Sequence, residues 1–400
     1  MLNLKNIDTK IVLKVLFTGL LMLDVTNAWA QNNPAVPQMA GQKMVQSDSQ
    51  LTYFNQDRYE MVELASPEFA EAPKNVILFI GDGLGVTHVS AALTVNGGQL
   101  NLNHMKHIGF SQTQSKDRYV TDSAAGGTAI ATGQRVNNGA IAMDASGEPI
   151  PSILHISEQN GKATGLVATS DIAHATPASF IAHQPSRSMY EEIAADFLKT
   201  DIDLFIGGGL NNFANRSDGV DLTLALKEKG YQVFYSLEES ACASKAPMAV
   251  FTAPGHNPEY DERGNMLELA TKKAIEVLSK DENGFFVMIE GSQIDWASHH
   301  NITPYLLGEV LDLDKAVGVA LEFAAQNGET LVIVTSDHET GGLALHDGSY
   351  EHGFIEARYS SDNHTGVMVP VFAYGPGAEL FLGIYDNTDI FHKIHSLFGF

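Results

Sequence analysis

Six short runs of apolar residues recur along the chain, and in each run consecutive positions are apolar rather than alternating with polar ones. A strand with this pattern is typical of a sheet covered by helices on both faces. The runs predict strands at 75–80, 163–168, 204–206, 285–289, 330–334 and 369–373.

Between these runs, apolar residues recur three and four positions apart, which is the spacing of an amphipathic helix. This spacing predicts helices at 193–199, 222–229, 267–278 and 303–326. Strands that alternate with helices over the whole chain predict an α/β fold, a three-layer sandwich in which helices flank a central, mostly parallel β-sheet.

The first thirty residues have the pattern of a secretory signal peptide. Three lysines precede the apolar run 15–23, and Ala28-Trp29-Ala30 supplies a small-x-small cleavage site. Nine apolar residues are too few to cross about 30 Å of hydrocarbon. We therefore predict a secreted, periplasmic protein with no membrane segment after cleavage. Residues 31–70 are predicted to form an N-terminal arm and lead-in, and residues 71–400 a single catalytic domain with small loop insertions.

The chain is acidic, with a formal net charge of −24 that becomes −25 once the first thirty residues are removed. This charge argues against a nucleic-acid-binding surface, which needs lysine and arginine to replace counterions. The single cysteine, Cys242, excludes an intrachain disulfide. We interpret Cys242 as a packing residue.

Carboxylates follow three of the predicted strands. Asp82, Glu290 and Asp337 each come one to three residues after an apolar run. Ligands of open α/β sheets collect outside the carboxyl ends of the strands. The sequence therefore places three carboxylates at one edge of the sheet.

Ser123 stands between Asp122 and the helix-forming run 124–132. A serine here is most often a helix N-cap. The same position directs the hydroxyl to a helix N-terminus, where backbone N–H groups favour an anion. The segment alone does not separate the capping role from a nucleophilic one.

Histidines occur near these carboxylates. Asp295 and His299 are four residues apart, so a helix would place both on one face, and a carboxylate with an imidazole suits zinc. His338 and His364 add two further imidazoles. Each of these histidines could be structural, but their joint placement favours a metal site.

A further polar segment follows the strand at 163–168 and contains His174 and Thr176. Arg187 comes eleven residues after Thr176. An isolated arginine is usually a solvated surface residue, but its planar guanidinium also matches two phosphate oxygens.

Taken in order, these segments resemble the alkaline phosphatase family from about residue 74 to about residue 378. The stretches that carry the resemblance are Ile80-Gly81-Asp82-Gly83, Thr121-Asp122-Ser123-Ala124-Ala125, Ala175-Thr176-Pro177, Glu290-Gly291 with Asp295 and His299, Thr335-Ser336-Asp337-His338-Glu339-Thr340-Gly341-Gly342, and His364-Thr365-Gly366.

The resemblance implies a metal-dependent hydrolase of phosphate monoesters that forms a phosphoserine intermediate at Ser123. It implies two Zn²⁺ ions, one Mg²⁺ ion, a phosphate-binding role for Arg187, and a homodimer. The implied ligands are Asp295, His299 and His364 for one zinc, Asp82, Asp337, His338 and the Ser123 oxygen for the second, and Asp82, Thr176 and Glu290 for magnesium. A zinc at Ser123 would activate the hydroxyl without a histidine base.

Two positions vary within the family. Where this chain has His174, some members have aspartate, so the identity of the third metal stays open. Trp296 follows Asp295 where other members have lysine or histidine. Trp296 is either a packing residue or a ring over the substrate mouth that lacks a charge to retain phosphate.

Composition adds one expectation. The chain has 36 glycines and 14 prolines in 400 residues, against averages of about 7% and about 5%. More glycine and less proline raise the backbone entropy of the unfolded chain, which suggests cold adaptation.

Three other interpretations compete. A sulfatase would need a different sequence after its nucleophile, since Ser123 is followed by Ala-Ala-Gly-Gly. Related phosphodiesterases typically use threonine and lack the third metal site. A non-catalytic periplasmic protein that binds zinc or phosphate would keep the metal ligands but would not need Ser123.

Overall fold

A ten-stranded β-sheet lies at the centre of residues 48–400, which are the residues that the computed structural model describes. The strands in this part of the chain are β1 (Thr52–Phe54), β2 (Asn75–Gly81), β3 (His107–Gln112), β4 (Ala163–Asp171), β5 (Leu204–Gly208), β6 (Gln232–Phe234), β7 (Met248–Phe251), β8 (Phe285–Gly291), β9 (Thr330–Thr335), β10 (Glu339–Thr340), β11 (Leu343–Ser349), β12 (Phe354–Tyr359), β13 (His364–Thr365), β14 (Val369–Tyr374) and β15 (Gly383–Asp386). All six predicted strands are present.

The helices include all four that the spacing of apolar residues predicted, each with small shifts at its ends. The first of the four is observed as α6 followed by a 3₁₀ turn, Phe197–Lys199. The helices are α1 (Asp48–Leu51), α2 (Val86–Val95), α3 (Ser123–Thr132), α4 (Ile153–Gln159), α5 (Ala175–Ile181), α6 (Tyr190–Asp196), α7 (Leu210–Ala214), α8 (Leu222–Glu228), α9 (Tyr260–Arg263), α10 (Met266–Leu278), α11 (Gln293–His299), α12 (Thr303–Asn327) and α13 (Thr388–Phe398).

The order of strands across the large sheet is β15-β3-β14-β9-β2-β8-β4-β5-β7-β6. β14 pairs antiparallel with both β3 and β9, and the other pairings in this sheet are parallel. The apolar run at 369–373 predicted β14 as a strand but could not give its direction. The mostly parallel α/β sandwich predicted from the sequence is confirmed.

Two hydrophobic cores cover the two faces of the sheet. Ile77 and Phe79 of β2 face the core that includes α10 and α12, whereas Val76, Leu78 and Ile80 face the core that includes α4 and α13. Consecutive residues of β2 point to opposite faces, so both must be apolar. This two-sided burial fixes the sheet and thereby the position of its carboxyl edge.

A separate three-stranded sheet, in the order β1-β12-β11, includes part of the predicted lead-in. Thr52 to Phe54 pair antiparallel with Glu356 to Phe354. The predicted signal peptide, 1–30, and residues 31–47 of the predicted arm lie outside the described residues. None of the helices within 48–400 combines the length and apolar character needed to cross a membrane.

Cys242 is not a packing residue, contrary to the sequence interpretation. Its side chain is exposed. The residue lies in a turn between β6 and β7 rather than in a strand or on the apolar face of a helix, so no core is available to bury the thiol.

Candidate metal and phosphate site

Three neighbouring strands of the sheet bring acidic side chains to one edge. Asp82 follows β2 directly and Asp337 comes two residues after β9, while Glu290 lies inside β8, where it pairs with Ile80. Glu290 was expected just beyond its strand; the ladder between β2 and β8 continues through Gly291 and includes it. All three carboxylate residues are fully buried.

The loop after β2 brings Asp82 close to other site residues because Gly83 has no side chain. Gly83 has a φ of 78°, and an added Cβ would lie 2.9 Å from the Cα of Asp295 and from Oγ1 of Thr340. A left-handed φ and so close an approach both require glycine. Gly83 therefore permits the close backbone approach around Asp82.

Ser123 is the first residue of α3, and the N-cap is Asp122, whose carboxylate accepts a hydrogen bond from the Ala125 N–H at 3.0 Å. The interpretation of Ser123 as the N-cap is therefore wrong: the longer Asp122 side chain occupies that role. Ser123 is buried, and its Oγ lies 3.2 Å from Nε2 of His338.

A first group of potential ligands consists of Asp295, His299 and His364. Asp295 and His299 lie one turn apart on α11, as predicted, with Oδ1 and Nε2 separated by 3.4 Å. The Nε2 atom of His364 lies 3.5 Å from the same Oδ1 and 3.1 Å from Nε2 of His299. The three side chains thus converge on one point.

The tautomers of these two histidines follow from their other ring nitrogens. Nδ1 of His299 contacts the Asp362 carbonyl and Nδ1 of His364 contacts the Thr121 carbonyl, each at 2.8 Å. A carbonyl only accepts, so each Nδ1 carries a proton and donates it. The two Nε2 atoms face each other beside the Asp295 carboxylate, so a cation such as Zn²⁺ bound there would contact both nitrogens and the carboxylate.

A second group consists of Asp82, Asp337 and His338, with Ser123 beside them. Nε2 of His338 lies 3.5 Å from Oδ1 of Asp82 and 3.3 Å from Oδ2 of Asp337. Thr340 donates its hydroxyl proton to Asp295 at 2.5 Å and lies 3.2 Å from Nδ1 of His338. The Thr340 oxygen accepts a hydrogen bond from the Nδ1–H of His338, which leaves Nε2 of this ring unprotonated.

A third group consists of Asp82, His174 and Glu290, whose potential ligand atoms all lie within 4.8 Å of one another. Several buried polar atoms in and beside this group have no hydrogen-bond partner, and buried polar atoms are normally satisfied. They are both carboxylate oxygens of Asp82, Oε1 of Glu290, Nδ1 of His174, Oγ1 of Thr176 and Oδ2 of Asp337.

Burial of several carboxylates together disfavours their charged forms. Burial and the charges of Asp337 and Asp295 raise the pKa of Asp82 well above its usual range. Burial raises the pKa of Glu290 to about 7, and burial with Asp295 raises that of Asp337 to about 7. Divalent cations would remove this penalty, and oxygen ligands of this kind fit Mg²⁺ in the third group.

Arg187 lies at the same site. Its Nη1 donates to Oδ2 of Asp122 at 3.1 Å, and its Nη2 lies 3.3 Å from Nε2 of His174. The guanidinium is therefore next to the N-terminus of α3 and next to the third group. Both positions suit a group that binds phosphate oxygens.

Trp296 is half-buried, and its ring centroid lies 5.9 Å from that of His174 at an interplanar angle of 88°. The structure thus brings together every site residue predicted from the sequence. Ser123, Arg187 and the three groups of potential ligands occupy one region at the carboxyl edge of the sheet.

Three residues of the site were not singled out from the sequence. Asp122 was seen only as a neighbour of Ser123, although a carboxylate before a helix is a capping signal. Thr340 follows His338 by two residues. His256, whose ring centroid lies 4.7 Å from that of Trp296, comes from a segment after β7, a strand that the apolar pattern did not predict, so no signal placed it at the site.

The sequence matches the alkaline phosphatase family over residues 73–359 and 354–399. Alkaline phosphatase 4 of Bacillus subtilis is 33% identical over 420 aligned residues, which cover 82% of this chain and 90% of that protein. Among solved structures, an alkaline phosphatase from the Antarctic bacterium TAB5 is 44% identical, with a TM-score of 0.78 over 82% of this chain and 99% of that one. Structures of variants of that enzyme have Mg bound in a site named M3.

A cold-active alkaline phosphatase from a psychrophilic Shewanella is 30% identical, with a TM-score of 0.76 over 81% of this chain and 99% of that one. The fold, the grouped carboxylates and histidines, and the match along the described chain agree with one another. This chain is an enzyme of the alkaline phosphatase family.

Proposed function

We propose that the protein hydrolyses phosphate monoesters through a phosphoserine intermediate at Ser123, with two Zn²⁺ ions and one Mg²⁺ ion. The observation that carries the proposal is the orientation of His299, His338 and His364. Each ring has its Nδ1 beside an oxygen and its Nε2 beside carboxylate oxygens that a metal could share. Membership of the alkaline phosphatase family supports the same reaction.

The residues divide among the metals as follows. Asp295, His299 and His364 would hold one zinc, and Asp82, Asp337 and His338 would hold the second with the Ser123 oxygen. Asp82, Thr176 and Glu290 would hold magnesium, with His174 beside them. Divalent cations at these places supply the positive charge that lowers the pKa of bound hydroxyl groups and stabilises a departing alkoxide.

The protein groups then account for the rest of the reaction. Oγ of Ser123 attacks phosphorus, the ester P–O bond breaks, and the alcohol leaves. Water then cleaves the phosphoserine and releases inorganic phosphate. Arg187 binds two phosphate oxygens, and the backbone N–H groups at the start of α3 add further donors to the anion.

A monoester substrate is favoured over a diester because Arg187 and the third group of ligands both face the phosphate site. A monoester has one more anionic oxygen than a diester, and these positive groups would bind it. The alternatives are a phosphodiesterase and a non-catalytic zinc- or phosphate-binding protein. The second of these would have no use for Ser123.

The test compares the wild type with Ser123→Ala on p-nitrophenyl phosphate and bis-p-nitrophenyl phosphate, with metal content measured on the same samples. We expect the wild type to prefer the monoester and the variant to lose at least about a thousandfold in kcat/KM. The variant should keep most of its metal, because the other ligands remain. Full activity in the variant would refute the nucleophile, and a preference for the diester would favour the phosphodiesterase.

Export to the periplasm, a homodimer and activity at low temperature complete the proposal. The first rests on the signal-peptide pattern in residues 1–30, the second on the family resemblance, and the third on the glycine and proline content. N-terminal sequencing of the exported protein and analytical ultracentrifugation test the first two. A melting temperature above that of ordinary mesophilic domains would contradict cold adaptation.

A further inference from the structure

The exposed ring of His256 projects from a backbone segment that is hydrogen-bonded to the neighbouring turn after β5. Within residues 253–258, the Gly255 carbonyl accepts from the Gly209 N–H at 2.7 Å and the Pro254 carbonyl accepts from the Asn211 N–H at 2.8 Å. A Cβ on Gly208 would lie 2.0 Å from the Gly255 oxygen, so glycine is needed for this contact. An exposed side chain on a fixed loop is pre-organised for contact with a ligand.

The His256 ring is also fixed in orientation and tautomer. Its Nδ1 accepts a hydrogen bond from the Asp171 backbone N–H at 3.0 Å. Nδ1 is therefore unprotonated, and the neutral ring carries its proton on Nε2. The ring meets Trp296 edge to face, with a centroid distance of 4.7 Å and an interplanar angle of 78°.

The two rings are held on backbones that are bonded to each other. Gln293, in the first turn of α11, donates to the Asn257 carbonyl at 2.9 Å and to the Pro258 carbonyl at 3.2 Å. Trp296 lies one turn further along the same helix. Relative movement of the two backbone segments would break these bonds, which therefore hold the His256–Trp296 pair together as one unit.

This unit stands beside the phosphate site. Trp296 directly follows Asp295, a member of the first group of ligands, and the His174 ring lies 5.7 Å from the ring of His256. His174 in turn lies 3.3 Å from Arg187. The two rings therefore border the site beside His174 and Arg187, and Trp296 is joined through the backbone to Asp295, one of the ligands proposed to bind the leaving oxygen.

We propose that His256 and Trp296 form an aromatic wall that contacts the organic leaving group and favours esters of flat, aromatic alcohols. The inference rests on the proposed monoester hydrolysis, in which the alcohol departs on the side of Asp295, His299 and His364. An aromatic group packs against the exposed ring edges and faces, whereas a saturated group of similar size loses the aromatic part of this contact. His256 is a specificity-determining residue and takes no part in bond cleavage.

The test uses benzyl phosphate and cyclohexylmethyl phosphate, whose leaving alkoxides are alike in size and basicity but differ in aromaticity. The quantity measured is the ratio of their kcat/KM values. We expect the wild type to prefer the benzyl ester, and His256→Asn to reduce this preference about 2- to 10-fold. His256→Asn removes the ring but keeps an amide oxygen that can accept from the Asp171 N–H.

Two further variants separate the ring from its hydrogen bond. His256→Phe keeps a ring and loses the acceptor, so it should retain most of the preference. Tyr350→Ala removes another exposed aromatic ring, in the turn between β11 and β12, and should leave the ratio unchanged. The inhibition constant for inorganic phosphate should be the same in His256→Asn as in the wild type.

A ratio of kcat/KM values for the two esters that is the same in His256→Asn as in the wild type would refute the aromatic wall. The wall would also be refuted if the inhibition constant for phosphate rose by the same factor as the preference for the benzyl ester fell. A wild type that hydrolyses neither ester would contradict the proposed function instead. Wild-type hydrolysis of both esters at equal kcat/KM would refute the wall while leaving monoester hydrolysis intact.

Discussion

Two clusters of buried charged side chains in this molecule offset the cost of burying carboxylates in different ways. One is the site at the carboxyl edge of the sheet. The other lies between α9 and α12, where Arg263 meets Glu309 and Asp312, and these three side chains are at most 3% exposed. A buried charge is costly unless it is paired.

In the cluster between α9 and α12, the protein itself supplies the cation, which is Arg263. Arg263 donates to both carboxylate oxygens of Glu309, at 2.7 and 2.5 Å, and to Oδ2 of Asp312 at 2.7 Å. Burial raises the pKa of Asp312, but Arg263 offsets part of this effect and the pKa stays at about 6. The protein thus pairs both carboxylates of this cluster with its own cation, and only Nε of Arg263 and Oδ1 of Asp312 have no hydrogen-bond partner there among the described residues.

The site at the sheet edge lacks such a cation among the described side chains that could reach all of its carboxylates. Arg187 is shared with Asp122 and His174, while both oxygens of Asp82 have no hydrogen-bond partner. The unpaired buried carboxylates at the sheet edge therefore indicate that this site binds added cations. The Arg263 cluster, whose cation belongs to the protein, instead stabilises the fold.

Removal of the metals should have the largest effect and should affect only one of the two clusters. Treatment with a chelator is expected to lower activity on p-nitrophenyl phosphate at least about a thousandfold. It should also lower the free energy of unfolding by about 4 kcal/mol for each site that was held at a thousand times its Kd. Activity assays and urea denaturation before and after chelation, with Zn²⁺ and Mg²⁺ added back, measure both. Activity that survives complete metal removal would contradict the comparison.

Removal of the internal cation should affect the other cluster alone. Arg263→Met leaves Glu309 and Asp312 buried without their partner and is expected to cost about 3–5 kcal/mol of unfolding free energy. The bound metal per folded chain should not change. Urea denaturation with metal analysis tests this, and Lys272→Ala, which breaks an exposed pair with Glu268, should cost less than about 1 kcal/mol. Equal losses of unfolding free energy in Arg263→Met and Lys272→Ala would show that the Arg263 cluster does not stabilise the fold.

Asp171 tests a third arrangement, a buried carboxylate with only neutral partners. It accepts from the Ala173 N–H at 2.8 Å and from Nδ2 of Asn212 at 2.6 Å, and burial raises its pKa to about 6. The folded state thus binds this proton more tightly than the unfolded state, so the stability it gives is present below pH 4 and is lost as the pH rises through 6.

In the wild type, ionisation of Asp171 should lower the unfolding free energy by up to about 3 kcal/mol between pH 4 and pH 7. Asp171→Asn should abolish this decrease. Urea denaturation across this range, with exposed Asp347→Asn as the control, measures the difference in slope. A variant with the same pH dependence as the wild type would show that Asp171 is not the group responsible.

Much of this arrangement could be predicted from local sequence. The uninterrupted apolar runs predicted the strands. The ends of these strands predicted that Asp82 and Asp337 lie at the same edge of the sheet. The spacing of Asp295 and His299 gave their shared helix face. These are properties of residues close together in the chain.

What local sequence did not provide depends on residues far apart. The tautomers of His299 and His364 are set by the carbonyls of Asp362 and Thr121, and nothing in the neighbouring sequence encodes these contacts. The position of His256 against Trp296 depends on a loop held by Gly209 and Gln293. The exposure of Cys242 depends on how the turn after β6 lies on the surface.

The place of β14 in the sheet has a consequence for biosynthesis. β14 lies between β3 and β9, yet it is made after both, and His364 lies just before it in the chain. A nascent chain that ends before residue 364 has neither the strand that joins β3 to β9 nor the third ligand of the first group. We therefore expect the first group of ligands to be complete only after residue 364 and β14 have been synthesised, late in the making of the chain.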